Sequence, residues 1–200
     1  TRLGEISQIF AGHSFNSYDF IFENGIKCIK ITNAGVHQLI ETKERLPSNF
    51  IIKYKDFLVR TNDLIIALTR PYISTGLKIS RCPETFNNSL LNQRVAAIRN
   101  YFDLNWNYIY QFMTSNFVLN GYKDKFEKVN LQPNLKVSDI TELYIPLPPL
   151  AEQQAIVDRV EKLLSMVDEL EKQVSERKEQ AEQLMQAVLR EAFEPAAAGR

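Results

Sequence analysis

Apolar and polar residues alternate in short runs along the first 150 residues of the chain, as they do in half-buried β-strands. Runs of this kind cover residues 3–10, 25–31, 51–59, 63–69, 76–80, 93–99 and 142–147. Residues 103–123 differ, because their large apolar side chains recur at helical intervals up to Gly121. The pattern predicts an α+β fold, in which a strand-rich domain at residues 1–148 contains one or two packing helices.

From residue 151 onward, apolar positions follow one another at spacings that alternate between four and three residues. This is the repeat of a coiled-coil seam. The seam contains Ile156, Val160, Leu163, Val167, Leu170, Val174, Ala181, Leu184 and Val188, with Arg177 as its charged position. Aliphatic side chains in such a row would form a large apolar patch in water, so we expect a second long helix to cover them.

The C-terminal part is therefore predicted to be one long helix at residues 149–194, followed by a tail at 195–200. At about 1.5 Å per residue, the seam from Ile156 to Val188 is roughly 50 Å long. A narrow seam is typical of helix pairing, whereas a helix that packs on its own domain normally has a wider apolar face.

Composition places the chain among soluble proteins, with 44% hydrophobic and 24% charged residues. The longest apolar run, LIIAL at 64–68, is far below the roughly 20 residues that span a membrane. The chain also opens without a secretory leader. We therefore expect a cytoplasmic protein without a membrane partner.

Charge is distributed unevenly along the chain. Residues 1–150 carry 17 Lys and Arg against 13 Asp and Glu, a net charge of +4, and residues 151–200 carry 7 against 11, a net charge of −4. A basic front part mildly favours a polyanion as its partner.

The residues that usually carry catalysis do not form a recognisable group. His13 and His37 have no Cys or carboxylate at metal-ligand or triad spacing. Gly12 is not part of a phosphate-binding motif. Cys28 and Cys82 are far apart and lack metal-site spacing, which favours two buried reduced thiols. The sequence predicts neither a catalytic nor a metal site, and no cofactor of the chain's own.

Three polar loops of the front part carry the residue types that contact nucleic acid. The candidate DNA-binding residues are Ser14, Asn16, Ser17, Tyr18, Arg70, Tyr72, Ser74, Thr75, Lys78, Asn92, Gln93 and Arg94. Arg and Lys suit guanine or phosphate, and Asn and Gln suit adenine. Taken singly, each is more often a solvated turn residue than a DNA contact. Arg70 and Arg94 are the strongest candidates.

The segment LYIPLPPLAEQQAIVDRVEKLL, at 143–164, resembles the junction between a target recognition domain and the helical region in specificity subunits of type I restriction-modification enzymes. Looser similarities are found in RLGEISQIFAG, NGIKCIKITNAG, NDLIIALTR, LLNQRVAAIR and LMQAVLREAF, so the resemblance covers nearly the whole chain. It implies a non-catalytic subunit that reads one half of a bipartite target in double-stranded DNA.

The same resemblance implies the partners. Family members typically pair two long helices antiparallel, which sets the distance between two recognition domains. The helices also dock modification subunits, which use S-adenosylmethionine, and through them a restriction and motor subunit that uses ATP and Mg. With one domain and one helix, this chain would be half of a longer subunit or a half-sized subunit that forms a homodimer.

Two other functions stay open on the residues alone. The chain could be the recognition end of a single-chain methyltransferase or restriction enzyme, whose catalytic domain would lie elsewhere. It could also be a module that binds only proteins, through its coiled coil and its front domain.

Overall fold

The computed structural model describes residues 1–22, 24–41, 43–101, 104–127 and 132–193, except for the side chain of Glu127. The chain forms two compact units, the first from Thr1 to Gln153 and the second beginning at Gln154. The strands are β1 (Ser7–Ala11), β2 (Ile26–Ile29), β3 (Arg45–Leu46), β4 (Leu64–Ala67), β5 (Tyr72–Ile73), β6 (Gly76–Leu77), β7 (Ile79–Arg81), β8 (Leu90–Leu91) and β9 (Val95–Asn100). The helices are α1 (Leu3–Ile6), α2 (Phe50–Lys53), α3 (Trp106–Met113), α4 (Asn116–Glu127), α5 (Val137–Thr141) and α6 (Leu150–Phe193).

An antiparallel four-stranded sheet, in the order β1-β9-β4-β7, forms the centre of the first unit. All four residues of β4 are buried, as are the first four of β9. Successive side chains of a strand point to opposite faces of the sheet, so both faces are covered at its middle. The apolar runs at 63–69 and 93–99 therefore correctly predicted the two central strands.

A second sheet, in the order β3-β2-β8, lies beside an aromatic cluster. Here the prediction of a strand at 51–59 is wrong, because this segment forms α2 and a 3-10 turn at Lys55–Phe57. Phe50, Tyr54 and Phe57 pack against the cluster around Phe15. Their i, i+4 and i+7 spacing puts them on one helical face. The segment therefore follows the helical period, although its residues also alternate between apolar and polar.

Three further segment predictions need correction. The helix predicted at 103–123 is two helices, because α3 ends at Met113 and α4 starts at Asn116 and continues through Gly121. The hydroxyl of Thr114 donates to the carbonyl of Tyr110 at 3.1 Å, at the break between them. The strand predicted at 142–147 contributes an isolated bridge between Arg2 and Tyr144, and the one predicted at 3–10 begins with α1.

The second unit consists of the part of α6 from Gln154 onward, and α6 as a whole is 44 residues long. Most seam side chains are exposed in the single chain, with Leu163 at 45%, Leu170 at 58% and Leu184 at 66% exposure. No helix in the described part of the chain combines the length and the apolarity that crossing a membrane would require. The domain limits at 148 and 194 remain predictions, and the tail at 195–200 lies outside the described residues.

Candidate functional site

One end of the four-stranded sheet collects loops from three distant parts of the sequence. β9 runs antiparallel to both β1 and β4, and β7 runs antiparallel to β4. The last residues of β1 and β4 therefore lie at the same end as the first residues of β7 and β9. We call this the loop end. It bears residues 12–19 after β1, residues 68–78 between β4 and β7, and residues 92–94 before β9.

Main-chain hydrogen bonds hold these three loops together. The amide of His13 donates to the carbonyl of Leu91 at 2.9 Å, and the amide of Gln93 donates back to the carbonyl of His13 at 3.0 Å. The amide of Leu68 donates to the carbonyl of Arg94 at 2.9 Å. The loop at 92–94 thus lies between the other two, joined to each by backbone atoms.

Gly12 allows the loop after β1 and the loop before β9 to approach this closely. A Cβ at this position would lie 2.1 Å from the carbonyl oxygen of Leu91 and 2.6 Å from the carbonyl carbon of Asn92. These are backbone atoms, which cannot move aside as the end of a side chain can. Gly12 is therefore required by the packing of the loops, which explains a glycine that belongs to no phosphate-binding motif.

All the candidate DNA-binding residues fall on the loop end. The loop after β1 carries Ser14, Asn16, Ser17 and Tyr18, the segment between β4 and β7 carries Arg70, Tyr72, Ser74, Thr75 and Lys78, and the loop before β9 carries Asn92, Gln93 and Arg94. Tyr72, Lys78 and Asn92 are half-buried, and the other residues are exposed. The sheet thus brings the candidates together, while their contacts with DNA stay a prediction.

A short hairpin of β5 and β6 projects part of this set. Tyr72 pairs with Leu77 and Ile73 pairs with Gly76, so Ser74 and Thr75 form the tip. Gly76 has a φ of 142°, which an L side chain rarely adopts. Arg70, which leads into the hairpin, has a φ of 48°, and its amide donates to the carbonyl of Pro133 at 2.9 Å. The backbone of this arginine is therefore fixed while its side chain stays exposed.

The loop end has an excess of positive charge. Its three loops contain Arg70, Lys78 and Arg94 but a single carboxylate, Asp19. That carboxylate accepts a hydrogen bond from the amide of Asn16 at 2.9 Å, within a turn of its own loop. Within the described residues, the side chains of the three cations form no hydrogen bond or ion pair. Their charges therefore remain available to an anionic ligand.

Three further residues belong with this set although sequence reasoning left them out of the candidates. The ring centres of His13 and Tyr54 are 4.6 Å apart. The amino group of Lys53 lies 5.0 Å from the centre of the same Tyr54 ring. Lys123 of α4 lies 5.9 Å from the ring of Tyr72. Lys53 lies on α2 and Lys123 on α4, far from the loops in sequence. The sequence therefore gave no sign that these lysines share a surface with the loops.

Cys28 and Cys82 have unreactive thiols. Both are buried and free, and desolvation by burial raises the pKa of each thiol to about 12. Such thiols remain protonated at neutral pH and are poor nucleophiles and metal ligands. Among the described residues, no group of three or more His, Cys, Asp and Glu side chains is placed to hold a metal ion. The loop end is thus a surface of hydrogen-bond donors and cations, suited to binding.

Comparison with known proteins places the chain in a family. A family model described as the type I restriction modification DNA specificity domain matches residues 1–180. The chain is 28% identical over 193 residues to the type I restriction enzyme MjaVIII specificity subunit of Methanocaldococcus jannaschii, covering 94% of this chain and 44% of that protein. It is 27% identical over 172 residues to the EcoAI specificity subunit of Escherichia coli, covering 84% of this chain and 28% of that protein. The chain thus spans less than half the length of these relatives.

Solved structures share its fold. The HsdS subunit from Thermoanaerobacter tengcongensis matches with a TM-score of 0.64 at 23% identity, over 96% of this chain and 44% of that chain. A chain from a study of complex assembly and conformational transition in the type I R-M system matches with a TM-score of 0.70, at the same identity, over 96% of this chain and 45% of that one. The α+β fold with a long C-terminal helix is confirmed by these matches. With the family model covering residues 1–180, the chain belongs to the family of type I restriction modification DNA specificity domains.

Proposed function

We propose that the first unit binds double-stranded DNA through its loop end and reads a short sequence there, without catalysing a reaction. The observation that carries this proposal is the convergence of three polar loops at one end of the sheet, with three cations that have no hydrogen-bond or ion-pair partner in the described part of the chain. Sheet strands with main-chain pairing between loops hold the reading side chains in place, which sequence discrimination requires.

The side chains of the loop end match the two kinds of contact that DNA offers. Arg70 and Arg94 suit the two acceptors on the major-groove edge of guanine, and Gln93 and Asn92 suit the donor and acceptor of adenine. Ser14, Ser17, Ser74 and Thr75 suit phosphate oxygens. Lys53, Lys78 and Lys123 would add charge that attracts the backbone in a salt-dependent way.

In the proposal the second unit is a spacer. Its seam would pack against a second long helix, and the pair would hold two recognition domains at a set distance along the duplex. Following the family, the helix pair would also dock the modification subunits, and the restriction subunit through them. S-adenosylmethionine, ATP and Mg would belong to those subunits, and the complex would work in the cytoplasm.

Family membership supports this function over the two alternatives. Exposed arginines beside amide side chains are what contact with DNA bases requires. A module that binds only proteins does not require this combination. The recognition end of a single-chain enzyme would use the same loop end in the same way, so the following test applies to it equally.

The decisive experiment measures binding of the 200-residue chain to labelled duplex DNA selected from a random pool. Arg70→Ala and Arg94→Ala should each weaken binding by about 1 to 3 kcal/mol if they contact bases, and each should relax specificity at one position of the selected site. Arg60→Ala is the matched control, because Arg60 is an exposed arginine at the other end of the same sheet. It should leave binding unchanged.

Salt dependence gives a second measurement on the same proteins. Binding that neutralises several phosphates falls steeply as salt increases. An affinity that is insensitive to salt, or a loss that is equal for Arg60→Ala and Arg94→Ala, would contradict recognition through the loop end.

A further inference from the structure

The short helix α2 presents an exposed isoleucine. Ile52 is 79% exposed, which is more than any other leucine, isoleucine, valine or methionine that the structure describes. The next in this order is Val174, at 67%, which lies on the seam of α6. Single exposed apolar residues are common on protein surfaces, so the setting of Ile52 decides what it can bind.

The backbone at Ile52 is held by residues on the other side of α2. Phe50 and Tyr54 lie on one face of the helix, and Ile52 points away from that face. The ring centres of Phe50 and Tyr54 lie 6.1 and 5.2 Å from that of Phe15. The amide of Tyr54 donates to the carbonyl of Phe50 at 2.8 Å and closes the turn that contains Ile52. Because a β-branched side chain has few rotamers, Ile52 is a stiff apolar projection.

This helix lies beside two loops of the loop end. His13, in the loop after β1, lies with its ring against that of Tyr54. Leu58, which follows the helical segment, forms a bridge with Leu90, just before the loop at 92–94. The position of Ile52 is therefore fixed at the flank of the surface that carries the candidate DNA-binding residues.

Two cations accompany the isoleucine. Lys53 and Lys55 are exposed, and the segment adds one exposed carboxylate, Asp56. Within the described residues, Lys55 and Asp56 form no hydrogen bond or ion pair. An apolar projection between cations matches a ligand that has anionic groups at its edge and an apolar interior. Duplex DNA has this arrangement, with phosphates outside and stacked base faces inside.

We propose that Ile52 enters the minor groove beside the bases read by the loop end and wedges between two base pairs. This inference rests on the proposed function, in which the loops lie in the major groove, so that an element at their flank meets the neighbouring minor groove. Lys53 and Lys55 would bind phosphates beside the opened step. Apolar wedges of this kind kink a duplex by about 20 to 90°.

The wedge adds sequence preference without a hydrogen bond to a base. Pyrimidine–purine steps, TA and CA/TG, unstack most easily, so inserting Ile52 costs least there. The selected target should therefore contain such a step at a fixed distance from the bases that the loops read. The polar candidate residues do not account for a preference of this kind.

Stacking and bending can be measured on the selected duplex with the 200-residue chain. The DNA carries 2-aminopurine at its adenine positions in turn, and a donor and an acceptor dye at its two ends. The original protein should raise 2-aminopurine fluorescence at one step and shorten the distance between the dyes. Ile52→Ala should bind about tenfold more weakly and do neither, while Ile52→Leu should keep most of both effects.

Two comparisons show whether a loss is specific to Ile52. Because the side chain is exposed, Ile52→Ala should unfold in urea as the original protein does. Leu150→Ala is the matched control for DNA binding. This exposed leucine follows Pro146, whose carbonyl accepts from Tyr108 of α3, and α3 follows the end of β9 that is opposite the loop end. Leu150→Ala should bind and bend the duplex as the original protein does.

Ile52→Lys separates a wedge from a charge contact. It adds a third cation, so it should steepen the slope of log affinity against log salt by about one. It should also abolish the fluorescence rise and the bend. An Ile52→Lys protein that binds more tightly and still bends the duplex would overturn the wedge.

Replacing thymine by uracil at the step tests the other use of an apolar side chain, which is contact with a thymine methyl group. The replacement should change the affinities of the original protein and of Ile52→Ala by the same factor. A loss confined to the original protein would assign Ile52 to the methyl group and overturn the wedge. Equal affinity of both proteins for a duplex that stays straight would overturn it too, and would leave the proposed function intact. Absence of DNA binding by the original protein would contradict the proposed function, and the wedge with it.

Discussion

The two ends of the central sheet are built from similar residues but use them in opposite ways. At the end opposite the loop end, Arg99 donates to both carboxylate oxygens of Asp63, at 3.0 and 2.6 Å, and to the carbonyl of Leu58. Arg81 donates to the side chain of Asn107 at 2.6 Å, and the indole of Trp106 donates to the carbonyl of Asn62. At the loop end, Arg70 and Arg94 are exposed and unpaired within the described residues.

The difference separates stability from binding. Asp63 is buried and also accepts a hydrogen bond from the amide of Arg60 at 2.7 Å. At the end opposite the loop end, the hydrogen bonds of Asp63 with Arg99 and Arg60 therefore stabilise the start of β4. At the loop end, main-chain hydrogen bonds join the loops, whereas the side chains of Arg70, Lys78 and Arg94 form no hydrogen bond or ion pair within the described residues. Substitutions at the first end should therefore act on unfolding, and side-chain substitutions at the second end should act on binding.

The largest effect is expected from Asp63→Ala. Removing one partner of a buried ion pair leaves the other charge without compensation, which typically costs about 3 to 5 kcal/mol. Urea unfolding should show a loss of this size, while DNA affinity of the fraction that remains folded should not change. The exposed neighbour Arg60→Ala serves as the control and should stay within about 0.5 kcal/mol of the original protein. If Arg60→Ala lowered the free energy of unfolding as much as Asp63→Ala, the proposed difference between the two ends would be wrong.

Gly12→Ala tests whether the loop end depends on backbone packing. The added Cβ would collide with the backbone at Leu91 and Asn92, so we expect a loss of about 1 to 3 kcal/mol in stability and a parallel loss of DNA binding. Gly121→Ala is the control, because a Cβ there meets nothing within 4 Å. A stable Gly12→Ala protein with full binding would show that the loops need not meet as they do here.

Lys123→Gln should have a smaller effect, which is confined to binding. If Lys123 contacts a phosphate, its removal should weaken binding about equally for all sequences and reduce the slope of log affinity against log salt by about one. The slope can be measured by fluorescence anisotropy over a salt series. Lys172→Gln, on the exposed surface of α6, should leave the slope as it is. A change in sequence preference would instead indicate a base contact.

The smallest effect is expected in thiol labelling. Burial raises the pKa of Cys28 and Cys82, so both should react slowly with a thiol reagent at pH 8 in the folded protein. The amide of Cys82 donates to the carbonyl of Asp63 at 2.8 Å, whereas Cys28 lies in the cluster with Phe15. Asp63→Ala should therefore speed labelling of Cys82 more than that of Cys28, as mass spectrometry of the labelled peptides would reveal. Equal acceleration would mean that the whole unit opens together.

Part of this architecture could be predicted from the sequence because its signals are local. The apolar run LIIA predicted β4, and the four-and-three spacing from Ile156 onward predicted α6. Segment 51–59 was wrongly predicted as a strand because its apolar residues fit both an alternating pattern and one face of a helix. Phe50 and Tyr54 pack against the aromatic cluster, and this packing favours the helix.

The loop end itself could be predicted only in its composition. Each loop was recognisable as polar, but their meeting depends on the strand order β1-β9-β4-β7, in which β1 pairs with β9 and brings together residues 85 positions apart, Ala11 and Ala96. Lys53 and Lys123 join the surface for the same reason. Tyr54, next to Lys53, contacts His13, and Lys123 lies beside the ring of Tyr72, and both of these contacts join residues far apart in sequence.

The attachment of the three loops by main-chain atoms has a consequence for how this protein changes over generations. The pairing of His13 with Asn92, and of Leu68 with Arg94, depends on amides and carbonyls that every residue except proline supplies in full. Point mutations can therefore alter the side chains on this surface while the scaffold persists. Single substitutions on this surface can thus change which groups it offers to a ligand without changing how the loops are joined, provided that Gly12 is retained.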